Sequence, residues 1–338
     1  MYVEAFTQAK DPNAPAANED RWLAHESRLF AVIDGVTDKS GEPLPDGTTR
    51  GQAAGRLLDA QLRELAAGPL PAESSALVAT LTDAIANAYK RAGLEGVVEA
   101  SPNLRFGAQL VAAFVTAEGW RLVAVGDCGA RVTRCAGPPL LFGAATPHDD
   151  IAAIWRANVF EHVLRRTGDV ELALEAGRAY ALAGNRQHLA AYRAVISERD
   201  QERLGLAAAH EAHAAHPDLD RAAVDEVLRL GIARLGRYRN QSGPLGFAVL
   251  DGTAVHPAGV TDVRFERAEV ESIELFSDGY FGPPPGTAAT VAAWERHIRH
   301  VEATDPHKVG AYRSTKGSSE GKFADDRTVM IVRQEAGA

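Results

Sequence analysis

Cysteine is scarce in this chain: its 338 residues include 2, Cys128 and Cys135. Two thiols in a chain this long cannot build a disulfide framework, so a reducing compartment is the expected setting and a pair of structural thiols the expected role. Excess basic charge is also missing. Its 36 Lys and Arg stand against 45 Asp and Glu, a formal net charge of −9. No basic stripe runs along any segment, which argues against a nucleic-acid partner. No uninterrupted apolar run approaches the roughly 20 residues of a membrane-spanning helix, so no membrane partner is expected. The first residues, Met1-Tyr2-Val3-Glu4-Ala5-Phe6, lack the basic start and apolar stretch of a secretion signal, and a cytoplasmic location is expected. There is no internal repeat. What remains is ordinary for a folded protein: 46% hydrophobic and 24% charged residues, enough to bury a core without cross-links in one large or two modest domains.

Periodicity divides the chain. Residues 2–8 alternate as a strand, 10–20 read as a loop, 28–34 as a strand and 36–50 as a turn-rich loop with Gly41, Pro43, Pro45 and Gly47. Helical spacing follows over 51–62 and again over 73–93, where Leu77, Leu81, Ile85 and Tyr89 recur every fourth residue. Residues 107–115 and 120–125 form a hairpin about Ala117-Glu118-Gly119, and a further strand is expected near 130–134. From 149 to 237 alanine, leucine, arginine and glutamate dominate, which predicts several helices broken near Gly168, Gly184 and Pro217. Strands are expected again at 246–250 and 260–269, joined by an Asp251-Gly252 turn. The order predicts an α+β fold with helices covering antiparallel sheet and a helical insertion at 149–237.

Against these strands lie four short acidic clusters: Asn18-Glu19-Asp20, Asp34-Gly35, Ser277-Asp278-Gly279 and Asp325-Asp326. Arg28–Ile33 leads into Asp34, Ile273–Phe276 into Asp278, and Thr328–Val332 follows Asp325. An isolated Asp-Gly is usually a turn, and Asp251-Gly252 is read as one. Several strands that deliver carboxylates to one place are different, because their repulsion must be offset, and the usual means is a hard cation with oxygen ligands, Mg²⁺ or Mn²⁺. Gly35 lets the backbone come close to whatever Asp34 binds, so its carbonyl is a second candidate ligand. Asp278-Gly279 repeats the design, Asp325 reaches the same end from the start of a strand, and Glu19 and Asp20 sit on a loop able to fold over that end. Two ions about 3.5–4 Å apart, bridged by a shared carboxylate, bind phosphate and generate hydroxide from water.

The order Asn18-Glu19-Asp20, strand-Asp34-Gly35, Gly126-Asp127-Cys128-Gly129-Ala130-Arg131, Ser277-Asp278-Gly279 and Asp325-Asp326-Arg327-Thr328-Val329 resembles the metal-dependent protein phosphatases of type 2C. The likeness runs over about residues 2–145 and 243–334. It implies a single domain, 1–334, built as an antiparallel β-sandwich flanked by helices, with 149–237 as an inserted flap. It implies a Mg²⁺ or Mn²⁺ centre at one end, with Asp34 bridging two ions, the Gly35 carbonyl on the second, and Asp278 and Asp325 on the first. Glu19 and Asp20 would act on metal-bound waters, and Asp127 would stand behind the ligands or hold the third ion of bacterial relatives. The implied catalytic set is therefore Asp34, Asp278, Glu19 and Asp20. The implied reaction is attack of a metal-bridging hydroxide on a phosphoserine or phosphothreonine ester, without a phospho-enzyme. The implied partners are a phosphoprotein substrate and a cognate kinase.

The departures from that pattern are specific. Many members carry an Arg four residues before the Glu of Asn-Glu-Asp, where this chain has Pro15; Lys10, Arg21, Arg28 and Arg50 are the open replacements. Val36-Thr37-Asp38 replaces the usual glycines, the His that serves animal members as an acid is missing, and Cys128-Gly129 replaces Ser-Arg, with Arg131 close by. Two alternatives follow: a non-catalytic regulatory module of the same fold, or a small-molecule phosphoesterase. His210, His213 and His216 read as a polar helix end and not a zinc site. Trp155 and Trp294 read as packing residues. Gly317–Lys322 fails the nucleotide-loop pattern, since its glycines are too close and Phe323 stands where Ser or Thr is required, and it reads as a flexible loop before Asp325.

Overall fold

Alternating side-chain direction governs how the strands pack in this computed structural model, which describes residues 1–37, 43–143, 146–286, 290–318 and 321–334. The elements in order are β1 (Tyr2–Gln8), β2 (Arg21–His25), β3 (Leu29–Gly35), α1 (Arg50–Ala67), α2 (Ser74–Ala92), α3 (Glu95–Ala100), β4 (Ala108–Val115), β5 (Gly119–Val125), β6 (Gly129–Arg134), β7 (Leu140–Phe142), α4 (Pro147–Thr167), α5 (Val170–Ala183), α6 (Glu198–Ala215), α7 (Arg221–Leu230), β8 (Val260–Glu266), β9 (Val270–Phe276), α8 (Val291–Thr304) and β10 (Arg327–Arg333). They build an α+β fold with two antiparallel sheets flanked by helices. One sheet runs β1-β10-β9-β6-β7 and the other β2-β3-β4-β5-β8.

The chain divides into two compact units: Met1–Ala145 with Phe247–Arg299 and Asp325–Ala338, and Thr146–Gly246 with His300–Ala324. In the first, β3 shows why two layers form. Phe30 and Val32 join Val111, Ala113, Trp120 and Leu122 of their own sheet and Ala130, Val132, Ile273, Leu275, Met330 and Val332 of the other in one buried cluster. Leu29, Ala31 and Ile33, on the opposite face, pack with Ala54, Leu58 and Leu62 of α1 and Leu77, Leu81 and Ile85 of α2. Helix α1 starts at Thr49, whose side chain accepts from the Gln52 amide while Gln52 bonds back, a capping box. Glycine at the left-handed position, Gly93 at φ +65°, ends α2.

The outer face of the other sheet holds a buried polar group. Glu274 of β9 accepts from Arg131 of β6 at 2.6 and 2.7 Å and from the Trp294 indole of α8 at 2.7 Å. Trp294 also stacks on Phe276, with ring centroids 4.8 Å apart. Trp294 is thus a packing residue with its polar edge satisfied, as buried tryptophans require.

In the second unit, Ile151, Trp155, Val159, Tyr180, Leu204 and Val224 form the core of α4–α7. Side chains of Asp169, Ser197 and Asp220 cap α5, α6 and α7. His216 ends α6 and lies 2.9 Å from Asp150. The three histidines belong to no metal-ligating group among the described residues. Arg178 donates to the carbonyls of Lys316 and Gly317, so the start of the 317–322 loop is tied down; Ser319 and Glu320 lie outside the described residues. Among the described residues no helix is long and apolar enough to cross a membrane.

Some sequence expectations need correction. Residues 246–250 form no strand; Leu250 makes a single bridge to Ala108. The reason is room: β5 pairs with β4 as far as Leu110↔Val125, and only the first two residues of β4, Ala108 and Gln109, are left for a further neighbour. Residues 267–269 leave β8 as a helical turn. Helix α1 runs on to Ala67 because Leu62 and Ala66 continue its buried stripe. Strand β2, short and half-exposed, and the short elements α3 and β7 carry too little periodicity to be read from sequence; α8 does carry helical spacing in Trp294, Ile298 and Val301, and it went unread.

Removing one partner of the buried ion pair should be costly, since the other charge is left without compensation. Glu274→Ala is expected to lose about 3–5 kcal/mol in denaturant unfolding.

Candidate metal centre

Antiparallel pairing sends the acidic clusters to one end of the first unit. Asp34 and Gly35 close β3 opposite Gln109 and Ala108 at the start of β4. Arg21 opens β2 opposite Ile33, so Glu19 and Asp20 enter beside Asp34. Strand β5 leaves toward Asp127 at this end, because Val125 pairs with Leu110. In the other sheet Phe276, the last residue of β9, pairs with Gly129 and Val329, which brings Cys128, Asp278 and Asp325 to the corresponding end.

Hydrogen bonds join the two sheet ends. Ser277 Oγ donates to Asp20 Oδ2 at 2.7 Å and accepts from the Thr328 amide at 2.9 Å. The Asp326 carboxylate accepts the backbone N–H of Lys10 at 2.6 Å and of Glu19 at 2.8 Å. Asp326 is therefore a clasp between the entrance to β10 and the segment before β2.

Electrostatics at this end are one-sided. Burial holds the Asp20 carboxyl well above its ordinary range; the Ser277 hydrogen bond opposes this, and Asp326, Asp325 and Asp278 push it higher. Asp34 keeps part of its surface open, yet burial again comes first in raising it, followed by the charges of Asp20, Asp278, Asp127 and Asp325. Asp326 is raised by burial, against the hydrogen bonds from Glu19 and Lys10. Carboxylate oxygens of Asp34 and Asp127 and the sulfur of Cys128 all lie within 4.8 Å of one another. Asp20, only 5% exposed, has an Oδ1 that is buried and accepts no hydrogen bond. A buried acceptor with no donor, in a field of like charges, is costly unless something positive fills the place. Oxygen donors of this kind suit a hard divalent cation, so the residues present fit Mg²⁺ or Mn²⁺.

Asp20, Asp34, Asp127, Asp278 and Asp325 thus come together, with Asp278 the most exposed. Glu19 is in the same place with different contacts: its oxygens accept from the hydroxyls of Thr37 at 2.7 Å and Thr49 at 2.5 Å, with the Lys10 ammonium 3.6 Å away. It holds the start of α1 against β3. Gly35 serves that same approach. A Cβ there would lie 2.8 Å from the Glu19 carbonyl oxygen and 2.9 Å from the Gly51 carbonyl carbon. Arg131 is not available to a phosphate, because Glu274 and the carbonyls of Pro284 and Gly286 take its donors. The stem of Arg21 lies over Gly55, and Arg28 is exposed at the β2–β3 turn. Asp38 lies outside the described residues. The roles of Asp326 and Ser277 went unread in the sequence, although both sit inside its acidic motifs.

No family model matches the chain, and no curated protein matches it. The chain is similar to solved structures of serine/threonine phosphatases. One is the catalytic domain of the phosphatase PstP in complex with two manganese ions, at 16% identity and a TM-score of 0.44, covering 98% of this chain and 96% of that one. Another is PstP/Ppp of Mycobacterium tuberculosis, at 16% identity and TM-score 0.44, covering 99% and 100%. A third is Stp1 of Staphylococcus aureus, at 13% identity and TM-score 0.44, covering 99% and 96%.

Two expectations follow from the geometry. With divalent ions chelated, Asp34→Asn should raise the melting temperature in a thermal scan, because a buried carboxyl repelled by Asp20, Asp278, Asp127 and Asp325 is replaced by a neutral group. Gly35→Ala should destabilise by about 1–3 kcal/mol through overpacking against Glu19 and Gly51, measured by denaturant unfolding.

Proposed function

We propose that the chain is a Mg²⁺- or Mn²⁺-dependent phosphatase of the type 2C kind, acting on phosphoserine and phosphothreonine in proteins. The gathering of Asp20, Asp34, Asp127, Asp278 and Asp325 at one end of a two-sheet unit carries this reading. Asp34, the Gly35 carbonyl, Asp278 and Asp325 would hold two ions, and Asp127 a third. Bound there, the ions supply positive charge for a phosphoryl group and lower the pKa of water, the chemistry that opens a phosphate ester at neutral pH.

The chain's own residues do the remaining work. Asp20, fixed by Ser277 on one oxygen, accepts a proton or a water hydrogen on the other. Glu19 keeps Asp20 in place from the preceding position by tying the chain to Thr49. Lys10, its ammonium beside Glu19 and one-third exposed, is a basic side chain placed to meet a phosphate dianion. In this reading 1–334 is one catalytic domain, and the helical insertion 149–237 selects among phosphoproteins, with a cognate kinase as the opposing activity.

A second reading, a non-catalytic regulatory module of this fold, is favoured by the engagement of Arg131 with Glu274 and by Pro15 at the usual arginine position. Mn²⁺ calorimetry beside a turnover assay separates the two, since a module binds the ion and hydrolyses nothing. Phosphopeptides compared with sugar and nucleotide phosphates separate a protein phosphatase from a small-molecule phosphoesterase.

Asp34→Asn and Asp278→Asn are each expected to abolish Mn²⁺-dependent hydrolysis of an aryl phosphate, a loss of several kcal/mol of transition-state stabilisation. Full activity in either variant rejects the mechanism.

A further inference from the structure

One donor at the centre is chemically unlike the rest. Cys128 stands just before β6, fully buried and outside any disulfide. Its sulfur faces the carboxylates: Sγ and one oxygen each of Asp34 and Asp127 form a trio whose members all lie within 4.8 Å of one another. The backbone behind it is close-packed, since a Cβ on Gly143 would sit 3.0 Å from Gly129 Cα and 3.3 Å from the Cys128 carbonyl oxygen. A cysteine beside carboxylates is not by itself a site. The second observation is Asp20, 5% exposed, whose buried Oδ1 accepts no hydrogen bond and whose charge is the strongest acting on Asp34.

We propose that Cys128 is a metal ligand, its sulfur joining Asp34 and Asp127 in a mixed sulfur–oxygen site that takes thiophilic divalent ions such as Zn²⁺, Cd²⁺ or Co²⁺ more tightly than carboxylates alone. Ligation forms one metal–sulfur bond and releases the thiol proton to solvent, with no change of oxidation state. A zinc–sulfur bond of about 2.3 Å and zinc–oxygen bonds of about 2.0–2.2 Å put ligand atoms on one ion at most about 4.5 Å apart. The observed trio needs only a side-chain adjustment to meet that. Soft thiolate prefers the later and heavier ions, while Mg²⁺ and Mn²⁺ gain little from it. The site therefore discriminates between ions by sulfur, and a thiophilic ion competes with Mn²⁺ for Asp34. This inference rests on the metal reading of the acidic cluster and is independent of hydrolysis.

The test strips the full chain with chelator and titrates it with Co²⁺, watching for sulfur-to-cobalt charge-transfer absorption, and measures Cd²⁺ and Mn²⁺ binding by calorimetry. The chain has 2 cysteines, so in Cys135→Ser the only thiol left is Cys128 and a band there is its own. The expected result is a band in the unsubstituted protein and in Cys135→Ser, absent in Cys128→Ser and Cys128→Ala. Cd²⁺ affinity should fall at least about tenfold in both Cys128 variants, while Mn²⁺ affinity changes little. Mn²⁺ binding without a cobalt–sulfur band in Cys135→Ser overturns the role of Cys128 and leaves the metal centre standing. Failure of Mn²⁺, Co²⁺ and Cd²⁺ alike to bind overturns both. Because Cys135→Ser alters an exposed thiol, the outcome does not depend on the folding of a core variant.

Discussion

Carboxylates held together against their own repulsion set the terms for the rest of the first unit. Asp278 and Asp325 raise the proton affinity of both Asp20 and Asp34, and burial, which strips those two of water, does so more strongly still. A chain free to relax would let them part. Here the antiparallel ladders forbid it, because Asp34 continues a strand buried on both faces and Asp20 enters opposite its last residues. Ser277 and Asp326 then lock the two sheet ends to each other through side-chain and backbone hydrogen bonds. Such a place gives up folding stability for pre-organised charge, the exchange found at functional sites in general.

The outer face of the sheet that carries β9 solves a similar problem internally. Glu274 is fully buried, yet its charge is met by Arg131 and the Trp294 indole. Arg131 spends its remaining donors on Pro284 and Gly286, in the segment that follows Asp278. An arginine that could have met a phosphate instead anchors the backbone downstream of a candidate ligand. The contrast is informative: one buried carboxylate has its counter-ion built in, while Asp20 and Asp34 at the sheet ends sit in a field of like charge.

Much of the fold was legible because it rests on alternation, on unbroken apolar runs or on spacing by four. Strands β1, β3, β4 and β5 and helix α2 carry regular apolar patterns, and their sequences announce it. Strand β2 was hidden, since a half-exposed edge strand of Arg-Trp-Leu-Ala-His leaves little pattern. The 246–250 segment misled in the other direction, as its apolar run serves burial and not pairing. At the site, the carboxylates could be named from their strand-end positions. The hydrogen-bond roles of Asp326 and Ser277 depend on contacts across some 250 to 310 positions of sequence separation, which no local pattern encodes. Gly35 does permit a close approach, and the neighbours it makes way for are Glu19 and Gly51.

The Asp326 clasp has a further consequence for the order of assembly. Strand β1 pairs with β10 in the register Tyr2↔Arg333, and Asp326 grips the amides of Lys10 and Glu19 from the doorway of that last strand. Contacts of such separation form late, after the loop-closure entropy has been met. A nascent chain emerging from the ribosome therefore carries its acidic residues apart until β10 is released and slots between β1 and β9. The acidic end of the unit is completed late, the closing of a ring whose two ends were made at opposite times, and under the proposed function ion capture would wait for it.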